Sequence, residues 1–314
     1  MKYGFGIDLG GTTVKLAYFD ENGTMLDKWE IPTDTSEDGK NIARDIAASV
    51  ENYLVTKQIP REDIIGLGMG VPGPVSSDGV VYTCINLGWG VLNVEQEMSA
   101  LTGFPVKAGN DATVAALGEY WVGGGKGYEN MVMITLGTGV GGGIVVEGKV
   151  LRGSHGAFGE IGHMTLNRDE ELICNCGKRG CVEQYCSATG IVRTANRYLA
   201  KSDAPSALRD KENFSCKDVF DTAAAGDAVA NEILDIVYRY LAEFIGNLCV
   251  TVDPEIVVIG GGVSKAGQPL LDGVGKYLPD YQIFATKNVG LALATLGNDA
   301  GAYGACKLVL DAYK

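Results

Sequence analysis

The stretch EIGHMTLNRDEELICNCGKRGCVE, residues 160–183, holds one of the chain's two histidines and three of its eight cysteines. His163, Cys174, Cys176 and Cys181 put one imidazole and three thiols within reach of a single short loop, a ligand set that zinc favours in closed, four-coordinate structural sites. Gly177 and Gly180, between the last two cysteines, let the backbone turn tightly enough for the sulfurs to face one point. Glu160 and Glu183 bracket the set. The C-x-C-x4-C spacing is not the commonest for zinc, so four unrelated residues or a disulfide stay open as alternatives on spacing alone. The disulfide is disfavoured. The N-terminus, MKYGFGIDLGG, shows no basic stretch followed by an apolar core, so no secretory signal is expected, and thiols of a chain that is not exported stay reduced. Cys84, Cys186, Cys216, Cys249 and Cys306 are scattered and read as small core residues.

Three further stretches carry groups that could handle an anion and a hydroxyl. YGFGID, LGGTT and VKLAYFD read as strand, turn and strand. Gly10, Gly11, Thr12 and Thr13 therefore sit where amides can approach an anion closely and hydroxyls add donors. No helix follows these glycines, which excludes a Walker A loop and a dinucleotide fingerprint; a plain glycine hairpin is the competing reading. Asp8, beside the turn, suits a Mg2+ held through water next to a phosphate, or else caps the turn. FPVKAGND followed by ATVAALGEYWVGG is a strand running into a helix, with Asn110 and Asp111 at the junction. A carboxylate there is ordinarily an N-cap. It also projects from the carboxyl end of a strand, where α/β sheets bind ligands, and suits a general base. Asn86 and Trp89, in VVYTCINLGWG, pair a polar with an aromatic group as a sugar site does; a structural Asn and a core Trp are the alternatives.

These groups need elements to position them, and the hydrophobic pattern predicts those elements. Three strands fill the first thirty or so residues, joined by the Gly/Thr turn and an ENG turn. Ser36–Thr56 has helical spacing, with Ile42, Ile46, Val50, Tyr53 and Leu54 on one face. IIGLGMGVPG is an apolar strand ending in a Gly-Pro turn. The second half then restarts the first: NMVMITLGTGVGGGIVVEGKVLRG, residues 130–153, again reads strand, LGTG turn, strand, EGK turn, strand. Such a long period predicts a duplicated domain, each copy opening with a hairpin that offers a Gly/Thr turn, so that two facing turns could clasp phosphates. Residues 187–250 read as helical around a loop at 203–216. PEIVVIGGGVSKAG is a buried strand, a triple glycine that leaves room for a nucleoside ring, and a helix opening near Ser264. An amphipathic helix closes the chain. At 314 residues, 46% hydrophobic and 21% charged, the composition is that of an ordinary soluble protein, expected in two domains. The net charge of −13, without any Lys/Arg cluster, argues against nucleic acid. No apolar run is long enough to predict a membrane span.

Taken in order, DLGGTTVKLA, VPGPV, GND, LGTGVGGGI, EIGH, CNCGKRGCVE and VIGGGVS resemble the ROK family of sugar kinases, over essentially the whole chain and most closely its bacterial glucokinases. The resemblance implies an α/β, two-domain fold of the actin, hexokinase and Hsp70 type, a duplicated ribonuclease H-like fold with a central cleft and a small zinc loop. Its domains would be 1–118 with 301–314, and 119–300 containing the zinc loop at about 160–183. It implies ATP-dependent phosphorylation of the 6-hydroxyl of glucose with Asp111 as general base. Asn110, Glu160, His163 and Glu183 would hydrogen-bond the other hydroxyls, with Gly73 and Asn86 lining the sugar pocket. Gly10–Thr13 and Gly137, Thr138 and Gly139 would cradle the ATP phosphates together with Lys15. Asp8 would help place Mg2+, and Gly261 and Gly262 would border the adenosine. His163, Cys174, Cys176 and Cys181 would hold a structural Zn2+, leaving the other imidazole N–H for the sugar. A cytoplasmic homodimer acting on small molecules, with no nucleic-acid or membrane partner, completes the expectation.

Of three rivals, two are distinguishable in the sequence. A transcriptional repressor of the family carries an added N-terminal helix-turn-helix, for which a strand starting near Tyr3 leaves no room. An actin-like ATPase without a sugar does not need the Asn110-Asp111 pair and the Glu160, His163 and Glu183 set. The same chemistry on N-acetylmannosamine, N-acetylglucosamine, fructose or allose is not separated from glucose by these residues.

Overall fold

Near-continuous apolar runs make the central strands of two five-stranded sheets, as strands covered on both faces require. The computed structural model describes residues 1–154 and 157–313. The first part of the chain forms β1 (Tyr3–Leu9), β2 (Thr13–Asp20), β3 (Met25–Pro32), α1 (Ile42–Lys57), β4 (Ile64–Val71), β5 (Val80–Val81), β6 (Leu92–Asn93), α2 (Val94–Thr102), β7 (Val106–Asn110) and α3 (Asp111–Val122). There follow β8 (Met131–Leu136), β9 (Val140–Val146), β10 (Lys149–Val150), α4 (Glu183–Cys186), α5 (Ala188–Leu199), α6 (Cys216–Ala224), α7 (Ala228–Val252), β11 (Ile256–Gly260), α8 (Gln268–Tyr277), β12 (Gly290–Leu293) and α9 (Ala300–Tyr313). Two compact units result: unit 1 is Met1–Gly127, Gly143–Gly159 and Leu296–Lys314, and unit 2 is Tyr128–Gly142 and Glu160–Thr295.

The strand orders are β3-β2-β1-β4-β7 and β10-β9-β8-β11-β12, so each sheet follows the pattern third, second, first, fourth, fifth of its own strands. In the first sheet β1 pairs antiparallel with β2 and parallel with β4, which pairs parallel with β7. In the second, β11 lies parallel between β8 and β12. The repeated order is the structural counterpart of the repeated hairpin in the sequence.

In unit 1 one face of the sheet is covered by α1 and α2. Phe5, Ile7, Leu67 and Met69 of the strands meet Ile42, Ile46, Val50 and Leu54 of α1 and Met98 of α2 in one buried cluster. The other face is covered by α9, whose Ala302, Cys306 and Leu310 pack on Ala17 and Phe19. That helix lies close because the strands offer glycine beneath it: a Cβ on Gly68 would stand 1.6 Å from the Ala305 carbonyl oxygen. Gly68→Ala is therefore expected to cost about 1–3 kcal/mol through forced displacement of α9, read as a lower urea midpoint. An unchanged midpoint would mean that α9 moves off the sheet freely.

The sequence pattern starts the first helix too early. Ser36–Gly39 forms a separate turn in which Glu37, Asp38 and Gly39 all have positive φ, at 49°, 59° and 65°. Asp34 explains the break: its carboxylate accepts from the Ser36 amide (3.0 Å) and from Asn41 Nδ2 (3.2 Å), which competes with helical bonding. Likewise, the helix read near Ser264 is a short 3-10 turn, Val263–Ala266, and α8 starts only after Gly267. Of the scattered cysteines, Cys84, Cys186, Cys249 and Cys306 are buried and Cys216 is half-buried. Among the described residues, no helix is long and apolar enough to cross a membrane.

Candidate functional site

In unit 1, β1 and β2 bring Asp8 opposite Lys15 in register, and the Lys15 ammonium stands 3.6 Å from the carboxylate while donating to the Asn298 carbonyl at 3.2 Å. Burial raises the Asp8 pKa above its ordinary value and Lys15 partly offsets that. A cation at this carboxylate would hold it ionised, so the donor chemistry suits Mg2+ bound through water. The turn that follows is tightly held. Gly10 N–H donates to Thr13 O (3.1 Å), Thr33 N–H to Thr12 O (2.9 Å) and Thr33 Oγ1 to Gly10 O (2.7 Å).

Asn110 and Asp111 divide the labour at the β7–α3 junction. Asn110 is the N-cap, its Oδ1 accepting from Thr113 N–H at 3.2 Å, and its Nδ2 donates to the Gly73 carbonyl at 3.2 Å. This corrects the capping alternative for Asp111, which is the first helical residue. Its exposed carboxylate accepts from the Ala112 amide at 2.8 Å. The Asn110 amide has a second N–H and a second lone pair beyond these two bonds. Gly73 and Asn110 are thus brought together. Asn86 is exposed on a short loop closed by the Cys84–Trp89 bridge, and its backbone lies against Gly11. Trp89 is not a sugar platform: it is 6% exposed and its Nε1–H donates to the Gly39 carbonyl.

In unit 2 the Gly137–Gly139 turn is bound to the segment after the last loop cysteine. Ala188 N–H donates to Gly137 O (2.8 Å), Thr189 Oγ1 to Thr138 O (3.0 Å), and Val140 N–H to Glu183 Oε2 (3.1 Å). Gly260 of β11 pairs with Thr135 of β8, and Gly261 (φ 85°) packs on the Leu136 backbone. Both glycine sites of unit 2 therefore meet at the carboxyl ends of adjacent parallel strands. A Cβ on Gly262 would meet nothing within 4 Å.

The loop between Glu160 and Glu183 is a small knuckle. Thr165 bridges to Cys181 and Ile173 to Arg179, while Cys174 N–H donates to Lys178 O (2.7 Å) and Gly177 N–H to Cys174 O (2.8 Å). Gly180, at φ 72°, is required: a Cβ would stand 1.6 Å from Asn167 O. His163, Cys174, Cys176 and Cys181 place their ligand atoms all within 4.8 Å of one another. Cys174 Sγ is 3.8 Å from His163 Nδ1, and the Cys176 and Cys181 sulfurs are 3.6 Å apart. Tetrahedral zinc, with sulfur at about 2.3 Å and nitrogen at about 2.0 Å, spaces its ligands by roughly 3.5–3.8 Å, so the set fits that ion. Burial pushes the Cys181 thiol up to about 12, whereas the Lys178 amide lowers Cys176; a divalent cation supplies the charge that three thiolates need. Since Nδ1 faces the sulfurs, Nε2 points elsewhere, 3.8 Å from Glu160 Oε2. Glu183 Oε1 lies 3.8 Å from Cys174 Sγ.

An anchor for this loop left no mark in the sequence. Glu170, in the run RDEEL, reads as a solvated acid, yet it is 5% exposed. It accepts both guanidinium N–H groups of Arg197 at 2.7 Å, and Tyr185 Oη at 2.5 Å. Arg197 holds its pKa down from 4.5 to about 2. At about 1.4 kcal/mol per unit this corresponds to about 3 kcal/mol. The folded pKa is depressed, so the contribution is complete above about pH 5 and is lost as pH falls towards 2. Glu170→Gln is expected to lower stability by about 3 kcal/mol at pH 7, with a smaller gap to the parent at pH 4. A gap independent of pH would contradict this assignment.

The ROK family model matches residues 4–312. The chain is 42% identical over 309 residues to a glucokinase of Halalkalibacterium halodurans, covering 97% of this chain and 94% of that one. A ROK hexokinase from Thermus thermophilus matches with a TM-score of 0.81 at 30% identity, over 98% of this chain and 97% of that one. A ROK family glucokinase from Streptomyces griseus, solved in complex with glucose and AMPPNP, gives 0.74 at 31% identity over 98% of each chain.

Proposed function

The chain belongs to the ROK family, and on that premise we propose that it transfers the γ-phosphoryl group of ATP to the 6-hydroxyl of glucose. Asp111 accepts the O6 proton as the O6–P bond forms. The bond from the γ-phosphorus to its bridging oxygen breaks, and the electron pair leaves with ADP. Phosphoryl transfer needs mainly positioning and charge neutralisation, so the role of Asp111 is to aim and deprotonate the acceptor. Asn110, Glu160, His163 and Glu183 orient the remaining hydroxyls, with Gly73 and Asn86 at the pocket wall. Gly10–Thr13, Lys15 and Gly137–Gly139 take the phosphates, Asp8 steadies Mg2+, and Gly261 and Gly262 border the adenosine. His163, Cys174, Cys176 and Cys181 would hold a structural Zn2+, and an imidazole bound through one nitrogen would keep its other N–H as a fixed donor.

The observation that carries this reading is the division of roles at the β7–α3 junction. Asn110 caps the helix, which leaves the Asp111 carboxylate exposed at the carboxyl end of a parallel strand. A coupled ADP-release assay with Mg-ATP across glucose, mannose, fructose, allose, N-acetylglucosamine and N-acetylmannosamine tests it. The highest kcat/KM is expected for glucose. A preference for an N-acetyl sugar would keep the chemistry and overturn the substrate, and no sugar-dependent ADP from zinc-replete protein would overturn both.

A further inference from the structure

Two threonines outside every set named above hold the carbonyls of the two glycine turns, and we infer that Thr33 and Thr189 are positioning residues that aim the phosphate-binding amides. The inference rests on the proposed use of those turns for nucleotide. In a planar trans peptide the carbonyl and the N–H that follows it point in opposite directions. In unit 1, Thr33 takes Gly10 O with its hydroxyl at 2.7 Å and Thr12 O with its amide at 2.9 Å. The Gly11 and Thr13 amides are thereby turned away from Thr33. In unit 2, Ala188 N–H takes Gly137 O at 2.8 Å and the Thr189 hydroxyl takes Thr138 O at 3.0 Å. The Thr138 and Gly139 amides are turned away from α5 in the same manner. Glu183 already occupies the next amide, that of Val140, and the Gly137 amide donates to Gly139 O at 3.0 Å, so among the described residues the Thr138 and Gly139 amides are the turn's candidates to meet an anion.

The two threonines are not equivalent in sequence. Thr33 follows β3 of the same hairpin, whereas Thr189 stands in the first turn of α5, more than fifty residues after its turn. One chain thus reaches the same arrangement twice by different routes. Turn carbonyls left to water would rotate freely, and the opposing amides with them. A threonine hydroxyl fixes them beforehand, which lowers the ordering cost of binding a phosphate. Thr189 also ties the nucleotide turn to the segment that starts at Glu183, two residues after the metal-set cysteine Cys181.

The test uses the full-length, zinc-replete protein and the near-isosteric variants Thr33→Val and Thr189→Val, with Thr33→Ser and Thr189→Ser as rescue controls. Calorimetry with a non-hydrolysable ATP analogue and Mg2+ reads nucleotide binding directly, and steady-state kinetics read KM for ATP and for sugar separately. Each valine variant is expected to bind the nucleotide about fivefold to tenfold more weakly, the loss of one hydrogen bond. Sugar KM and thermal midpoint should stay near the parent values, and serine should restore binding. Unchanged nucleotide affinity in an active parent would overturn the inference alone. Equal weakening of sugar and nucleotide without serine rescue would reduce the threonines to general stability. A parent protein that binds no nucleotide would remove the proposed function and this inference together.

Discussion

Asp111→Ala is expected to lower kcat by about 10²–10⁴-fold, the range for loss of a positioned general base, while sugar KM changes by less than about threefold. There are three reasons why the fold should survive. Asn110 supplies the cap of α3 through Thr113, so the N-cap bond survives the loss of Asp111 and of its contact with the Ala112 amide. Alanine is also a strong helix former at the first helical position. The Asp111 side chain is exposed, so no cavity opens. Asp111→Asn keeps the shape but removes the charge and cannot take a proton, and should be nearly as impaired. A kcat within tenfold of the parent, or a variant that no longer binds sugar, would remove Asp111 from this role. By contrast, Asn110→Ala should impair stability as well as binding, because its amide serves both the helix cap and the Gly73 carbonyl.

The second large effect is loss of the metal. Cys176→Ala leaves three of four ligands, and Cys181→Ala removes one whose sulfur is buried in the knuckle. In each case zinc content by elemental analysis is expected to fall from about one ion per chain to near zero, as for four-coordinate structural sites. On the proposed role of His163, the consequence should reach the sugar. Without zinc on Nδ1, nothing fixes the imidazole tautomer or holds the Nε2 proton towards a hydroxyl. Sugar KM should rise by about 10–100-fold, the usual effect of disturbing the shell around such a ligand, and the loop should become sensitive to protease. Full zinc content and normal sugar KM in Cys176→Ala would refute the metal assignment. Chelation of the parent should reproduce the variant, and added zinc should reverse it in the parent only.

The clustering of candidate groups was legible where it depends on residue type within a short stretch. Three cysteines and a histidine in one loop, and glycines after apolar strands, announce themselves because few other roles need them so close together. The repeated hairpin foretold the repeated strand order for the same reason. What escaped depends on partners far apart in the chain. Glu170 and Arg197 are 27 residues apart, and nothing local distinguishes that glutamate from its solvated neighbours. Thr33 and Thr189 bond backbone carbonyls, which every residue has, so no pattern marks them. Trp89 could not be told from a sugar platform until its indole was seen to bond Gly39. The start of α1 was misplaced because Asp34 captures the backbone that helical periodicity would have used.

The most direct test of the account is phosphorus NMR of the product made from ATP and C6-labelled glucose by the parent protein, beside the same reaction with Asp111→Ala. Phosphorus coupled to the labelled carbon is expected in the parent reaction, with almost none formed by the variant over the same time. Phosphate on another carbon, a variant as productive as the parent, or ADP formed without any sugar phosphate would contradict it.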